Sequence, residues 1–331
     1  MDSVPYISVI IPTRARADLL ANCLTSLQAN AYASREIIIV DQSDDQETAR
    51  VVQQAARQDS SLRYVPSATT GSSRAQNIAL GLARGAIVAI TNDDCQVTPH
   101  WLTRLAEEFR SNPQVVAVFG PFLPLTLSQR TVAVAALTGN RRRVQHGLEE
   151  IWRLGYGGNM AFRRERVIAV GGLDEMLGPG SARSWGCNDI DLIYRVLRRG
   201  GWAVYASDLV VRHVQHYGLG QALRREGAYA RGAGAIVAKG LRCGDRQAWR
   251  LLAQRLWPVG PGRTWSELFT SLSGGKRWIM VVRALFRIYC LAILIPWGML
   301  CSCFQPILDV EHMLYRGGVV TKEDPVDVAQ D

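Results

Sequence analysis

A chain of 331 residues, 48% hydrophobic and 20% charged, can bury a sizeable core in one large or two ordinary domains, which excludes a disordered protein. Its formal charge of +9 points to an anionic partner: nucleic acid, a membrane surface or a phosphorylated substrate. The seven cysteines form no CxxC pair and no metal-ligand spacing, and Cys301 and Cys303 are too close for a comfortable bridge, so a reducing, cytoplasmic setting is expected.

In chain order, residues 1–5 lack the basic region of a signal peptide, so none is expected. Ile7-Ser8-Val9-Ile10-Ile11-Pro12 reads as a strand stopped by proline. Thr13 to Arg16 is a loop, and Asp18 opens a helix to about Ala29. A second strand, 36–40, ends at Asp41, and a polar helix runs to about Gln58. A short strand covers 62–65, a loop covers 71–77, and a helix follows to Arg84. The apolar run 87–90 then ends in Asn92-Asp93-Asp94. Such alternation predicts a doubly wound, mostly parallel sheet, with Thr13, Asp41 and Asn92–Asp94 all at carboxyl ends of strands, where these sheets bind ligands. Two adjacent carboxylates call for a compensating cation, and oxygen ligands suit Mg²⁺ or Mn²⁺. The competing reading is a polar turn, with Asp93 or Asp94 capping a helix at 99–110. No GxGxxG follows the first strand and no GxxxxGKS occurs, which disfavours dinucleotide oxidoreductases and P-loop enzymes. Asp41 could accept a base N–H and Arg74 could reach a base or phosphate; a strand-end cap and a solvated arginine are the plain alternatives.

Further on, Tyr156-Gly157-Gly158-Asn159 is a turn feeding a short strand, and a helix at 164–170 stops at Gly171-Gly172. Asn188-Asp189-Ile190-Asp191 opens another helix, to about Arg199, with one aspartate as N-cap or general base. A carboxylate near a helix N-terminus is expected to stay ionised. His213 and His216 follow a strand at 202–205 and are either metal ligands or buried hydrogen-bonding residues.

With these residues in order, positions 6–217 resemble the inverting glycosyltransferase family 2. The resemblance rests on Ser8-Val9-Ile10-Ile11-Pro12-Thr13, Val40-Asp41-Gln42-Ser43, Gly71–Asn77 with Arg74, Thr91-Asn92-Asp93-Asp94, Gly158-Asn159-Met160-Ala161-Phe162, Gly171-Gly172-Leu173-Asp174-Glu175, Asn188-Asp189-Ile190-Asp191-Leu192 and His213. It implies a GT-A fold, a nucleotide-diphosphate sugar donor, with UDP favoured, and Mg²⁺ or Mn²⁺. Pro12, Thr13, Arg14, Asp41, Arg74, Asn77, Asn92 and Asp93 would hold the donor. Asp94, with His213, would hold the metal. Asp189 would be the catalytic base of a single displacement with inversion, and Gly158, Asn159, Trp185 and Asn188 would flank the sugar and acceptor. Two departures stand out: Asn92 replaces the first aspartate of DxD, and Asn188 replaces a glutamate, which tends to lower the Asp189 pKa. Gln221-Ala222-Leu223-Arg224-Arg225 lacks the tryptophan of the QxxRW of the family's processive synthases and no set of spanning helices forms a channel, so a transferase adding one sugar, not a polymerase, is expected.

From Arg224 the chain is basic, and 288–304 carries no charge. That segment is short for a span, Pro296 and Gly298 would kink it, and Trp278 and Trp297 could anchor it at an interface. A single span, an interfacial helix near 278–304 and a packed helix of a soluble domain compete; the first two place the protein at the cytoplasmic membrane face, bound to anionic lipid, and the third leaves it cytoplasmic. A glycan or lipid-linked acceptor would then be natural. The organisation expected is a GT-A domain at 1–220 (nucleotide half 1–125, acceptor half 126–220), a basic helical connector at 221–275, a membrane-associated or packed helix at 276–308 and a flexible tail at 309–331. The other readings are a nucleotidyltransferase, a non-catalytic sugar-nucleotide binder and a nucleic-acid binder. The last is disfavoured because the charge is not interleaved with stacking aromatics.

Overall fold

The computed structural model describes residues 4–125, 137, 139–214, 218–256, 282 and 285–315. The expected alternation is present: β1 (Ile7–Thr13), α1 (Ala17–Gln28), β2 (Arg35–Asp41), α2 (Glu47–Ala56), β3 (Leu62–Pro66), α3 (Ser72–Leu82) and β4 (Ile87–Ile90). Pro12 sits inside β1 and does not stop it. β4 pairs with β1 only up to Ile10↔Ile90, so the missing proline N–H falls where that neighbour has ended. The reading of 71–77 as loop is corrected: α3 begins at Ser72, because Gly71 takes the turn at φ 108 and the Ser72 N–H donates to the Pro179 carbonyl.

The second half adds β5 (Cys95–Val97), α4 (Trp101–Ser111), β6 (Val115–Phe119), β7 (Phe122–Pro124), β8 (Arg143–His146), β9 (Met160–Arg163), α5 (Arg164–Ala169), α6 (Asn188–Arg198), β10 (Trp202–Tyr205) and β11 (Val211–His213). Eight strands form one sheet in the order β3-β2-β1-β4-β9-β6-β10-β8. β3, β2, β1 and β4 are mutually parallel, whereas β9 runs antiparallel to both β4 and β6. The chain winds outward from β1 to β3 and then returns to β1's other side. The winding therefore reverses between β1 and β4, and a crevice opens at their carboxyl ends. Successive strand residues feed opposite cores: Ile10, Ile38 and Ile90 meet Ala75 and Ala79 of α3 and Ile193 of α6, while Val9, Ile11 and Ile39 meet Leu20 and Leu24 of α1 and Trp101 of α4.

A long helix, α7 (Leu219–Arg242), and α8 (Trp249–Leu256) follow. The helix Leu285–Cys303, here α9, is long and apolar enough by composition to cross a membrane. One side of it, however, is pressed onto α7. A Cβ on Gly234 would lie 2.0 Å from the Ile295 carbonyl oxygen, and one on Gly298 would lie 2.1 Å from that of Arg231, so only glycine permits this crossing. The segment Cys290–Leu294 is π-helical, just before Pro296, as expected where a proline interrupts the hydrogen-bond ladder. The opposite side exposes Ile288, Ile293, Trp297, Leu300 and Phe304.

The reading of 309–331 as flexible is corrected for its first part. Ile307–Asp309 and Leu314–Tyr315 form a hairpin, and Tyr315 is wholly buried, its hydroxyl on Ser302 and on the Ala235 carbonyl. The connector beyond Leu256, Trp278, His216, much of the 122–150 loop and the acidic end from Lys322 lie outside the described residues.

Candidate active site

The crevice is built first from strand ends. Thr13 closes β1 and pairs in register with Asp41, the last residue of β2. Asp41 is buried; its Oδ1 accepts from the Ser43 N–H (2.9 Å) and hydroxyl (2.5 Å), and its Oδ2 accepts from the Tyr64 hydroxyl (2.8 Å). Burial and this bond push the Tyr64 hydroxyl well above its ordinary pKa, so it remains a donor. Arg74, in the first turn of α3, is half exposed and donates from Nε to Glu175 at 2.7 Å. Arg14 pairs with Asp44 at the exposed rim. Asn77 is not brought to the crevice. Its amide donates to the Leu173 carbonyl and Glu175, and its carbonyl accepts from the Leu173 N–H, so it fastens the 173–175 loop.

Asp93 and Asp94 follow β4 across the switch point, both nearly covered. Neither caps α4, whose N-cap is His100. The Thr13 hydroxyl donates to Asp93 Oδ2 at 2.9 Å. Arg16 Nη1 stands between the two, 3.2 Å from Asp93 Oδ1 and 3.5 Å from Asp94 Oδ2. Burial raises the Asp93 pKa; Arg16 opposes the rise, the Asp94 charge adds to it and Thr13 opposes it. Burial also pushes the neighbouring Cys23 and Cys95 thiols up, so they stand beside the pair as neutral thiols. What remains is a pair of hard carboxylate oxygens already facing a cation. That donor set fits Mg²⁺ or Mn²⁺.

β11 pairs antiparallel with β5 and sets His213 opposite Cys95, while the Val214 N–H donates to the Asp94 carbonyl. The His213 ring is fully buried and stacked on Phe122 at 4.3 Å. Among the described residues no three His, Cys, Asp or Glu side chains converge on one point, so His213 and Asp94 do not form a closed protein cage.

A glycine turn joins this pair to the second carboxylate. A Cβ on Gly158 would lie 2.7 Å from Phe122 and 3.1 Å from Asn92 Nδ2, so the turn can press against Asn92 only as glycine. Next to it, the Gly157 N–H donates to Asp189 Oδ2 at 3.2 Å, and the Ile190 N–H donates to Asp189 Oδ1 at 2.9 Å. The N-cap of α6 is Cys187, not Asp189 or Asp191. Burial raises the Asp189 pKa, while those N–H groups and the Arg225 charge restrain it. The net direction is upward: the field of a helix start is real, but desolvation exceeds it.

Two expected flanking residues turn inward. Asn159 accepts from the Trp101 indole and donates to the Pro121 and Leu209 carbonyls, clamping strands together. Trp185 is buried against Tyr315. Asn188 lies against Gly178, at the first turn of α6. Sequence reasoning missed Arg16, Arg225 and Tyr229. Arg16 carried a usable signal, because it is a basic residue in the loop at the carboxyl end of the first strand. Arg225 and Tyr229 lie in α7, and only its packing on Gly186 and Cys187 brings them beside Asp189.

The family model described as Glycosyl transferase family 2 matches residues 8–170. A glucosyl-dolichyl phosphate glucuronosyltransferase of Haloferax volcanii is 25% identical over 215 residues, 62% of this chain and 68% of that protein. A GalNAc(5)-diNAcBac-PP-undecaprenol beta-1,3-glucosyltransferase of Campylobacter jejuni is 29% identical over 119 residues, 35% of this chain and 38% of that one. Among solved structures, mannosyltransferase PcManGT from Pyrobaculum calidifontis, in complex with GDP-Man and Mn2+, shares the fold with a TM-score of 0.59 and 18% identity, covering 92% of this chain and 88% of the other. TarS 1–349 of S. aureus, in complex with UDP-GlcNAc, has a TM-score of 0.59 at 15% identity, covering 93% and 89%. With its GT-A fold and these relatives, the chain belongs to glycosyl transferase family 2 and is a glycosyltransferase.

Proposed function

We propose that this enzyme transfers one sugar, with inversion, from a nucleotide-diphosphate sugar to the hydroxyl of a lipid-linked or glycan acceptor at the cytoplasmic membrane surface. The observation that carries the reading is the joining of two buried carboxylate sites by one glycine turn, with Asn92 to Asp94 on one side of Gly157-Gly158 and Asp189 on the other. The donor's nucleotide is assigned to the end of β1 and β2, at Pro12, Thr13, Arg14 and Asp41, with Arg74 at the rim and UDP favoured. Asp94 and Asp93 would hold Mg²⁺ or Mn²⁺, which when bound offsets the charge on the departing diphosphate. Such an ion takes one or two protein carboxylates and completes its shell with phosphate oxygens and water, in keeping with a site that is no closed protein cage. Asp189 accepts the proton of the acceptor hydroxyl as its oxygen bonds to the anomeric carbon, and the bond from that carbon to the diphosphate breaks. The backbone N–H groups of Gly157 and Ile190 hold the carboxylate in place for this step.

Nucleotide sugars incubated with the purified enzyme and Mn²⁺ should release nucleoside diphosphate from one donor class, and EDTA should stop it. Asp94→Ala should lower the release by about 100-fold. Release that survives both EDTA and Asp94→Ala would sink the metal assignment, and no binding of any donor would sink the donor assignment.

The membrane part of the proposal rests on α9. With one side pressed onto α7, this helix is suited to lie in an interface and not to thread a bilayer. Two relatives are named for lipid-linked substrates, which supports an acceptor delivered there. Trp297→Asp with Leu300→Asp should reduce co-sedimentation with anionic vesicles roughly tenfold or more, since each buried large apolar side chain contributes ~1.5–3 kcal/mol. Undiminished sedimentation would move the contact elsewhere.

A further inference from the structure

Two buried carboxylates side by side repel each other and need a counter-charge. Arg16 supplies it: its Nη1 lies 3.2 Å from Asp93 Oδ1 and 3.5 Å from Asp94 Oδ2. The Arg16 side chain is 50% exposed, whereas the aspartates are 6% and 3% exposed, so the guanidinium covers the pair from the solvent side. The loop that carries it is strapped at its other end. Ala15 has φ 51, in the left-handed region, and its N–H donates to the Ser43 hydroxyl at 2.7 Å, while Ser43 is itself held by Asp41. Arg16 is thus the last residue before α1, its backbone anchored at the nucleotide side and its long side chain reaching the carboxylates.

A divalent ion held by Asp93 and Asp94 would draw on the same two carboxylates. A guanidinium hydrogen-bonded to Asp93 and ion-paired with Asp94 competes with such an ion, because it stands against both carboxylates and repels the ion's charge. A diphosphate arriving with the ion offers Arg16 a new anionic partner nearby. We propose that Arg16 is the resident cation of the Asp93–Asp94 pair, displaced only when metal and nucleotide diphosphate arrive together. The consequence is a positive linkage: free metal is held off, and nucleotide raises metal affinity by releasing Arg16. The inference rests on the metal assignment proposed above.

The test is Mn²⁺ binding by the full-length protein, read from the electron paramagnetic resonance of free Mn²⁺, without nucleotide and with UDP or GDP. Wild type should bind Mn²⁺ weakly alone and about tenfold or more tightly with one of the nucleotides. Arg16→Gln should bind Mn²⁺ alone about tenfold tighter than wild type and gain little from nucleotide, whereas Arg16→Lys, which keeps the charge, should follow wild type. Arg16 is half exposed, so both variants are expected to fold; Arg16→Met replaces Arg16→Gln if that protein does not. Wild type that responds to nucleotide beside a neutral variant with unchanged affinity for Mn²⁺ alone overturns the role of Arg16 and leaves the metal assignment standing. Wild type and variants that all fail to bind Mn²⁺, with either nucleotide, overturn both.

Discussion

Asp189→Asn should lower turnover by roughly 10²–10⁴-fold, the usual contribution of a general base, while donor affinity stays near wild type. The amide is nearly isosteric, and its carbonyl can still accept one of the two N–H groups that hold the carboxylate, from Gly157 or Ile190. The variant therefore removes the proton acceptor with little change of shape. The pH profile is the second readout. Burial raises the Asp189 pKa above the ordinary aspartate value of 3.8, and a base works only when ionised. Wild-type activity should accordingly fall with acid at a higher pH than an exposed aspartate would give, and this limb should vanish in Asp189→Asn. Full activity in the variant, or a profile with no acid limb, would remove Asp189 from the mechanism.

Lys239→Met should destabilise the fold by about 3–5 kcal/mol, measured by urea denaturation. Lys239 is 1% exposed and lies 2.6 Å from Asp174 and 2.7 Å from Asp191. Asp191 also pairs with the buried Arg195 at 2.7 Å, and Arg195 donates to the Val170 carbonyl. Methionine would leave two buried carboxylates with one guanidinium, and an uncompensated buried charge is costly. The network also ties together distant parts of the chain, since the Tyr315 N–H donates to Asp174 and Lys239 lies over the Tyr315 ring. The Asp191 pKa is lowered: burial alone would raise it, but Arg195 and Lys239 outweigh that. Because the folded value is depressed, this stability is present above the unfolded value near 3.8 and lost as pH falls through the folded one. The variant should lose part of that acid-dependent stability as well. A change below about 1 kcal/mol would mean that water or a shifted proton already compensates the pair.

The parallel strands β1 to β4 were legible because each is a short apolar run bounded by turn residues, and β4 occupies the stretch 87–90 expected from its residues. The winding followed from alternation alone, and with it the placement of Asp41 and Asp93–Asp94 at carboxyl ends. Side-chain direction was not legible. Asn77, Asn159 and Trp185 lie in the expected neighbourhoods, yet their side chains serve the fold: two amides satisfy buried backbone groups and the indole fills the core. A motif position reports where the backbone passes; whether an amide faces the crevice or a buried carbonyl depends on which groups would otherwise be left without partners.

The C-terminal helix makes the same distinction. Composition and length are local properties, and they were enough to mark 288–304 as an apolar helix near a basic region. They could not tell a span from a packed helix, because that depends on Gly234 and Gly298 meeting the backbone of another helix. Sequence by itself determined the elements up to Ile90 and their order, the family and the carboxylates at the crevice, since periodicity, turn chemistry and motif spacing are written within short windows. Tertiary structure alone decided that Arg16 covers Asp93 and Asp94, that Arg225 lies near Asp189, and that Lys239 and Tyr315 close the network behind it. Those are contacts between residues far apart in the chain, and their charges, burial and pKa shifts exist only once packing has brought them together.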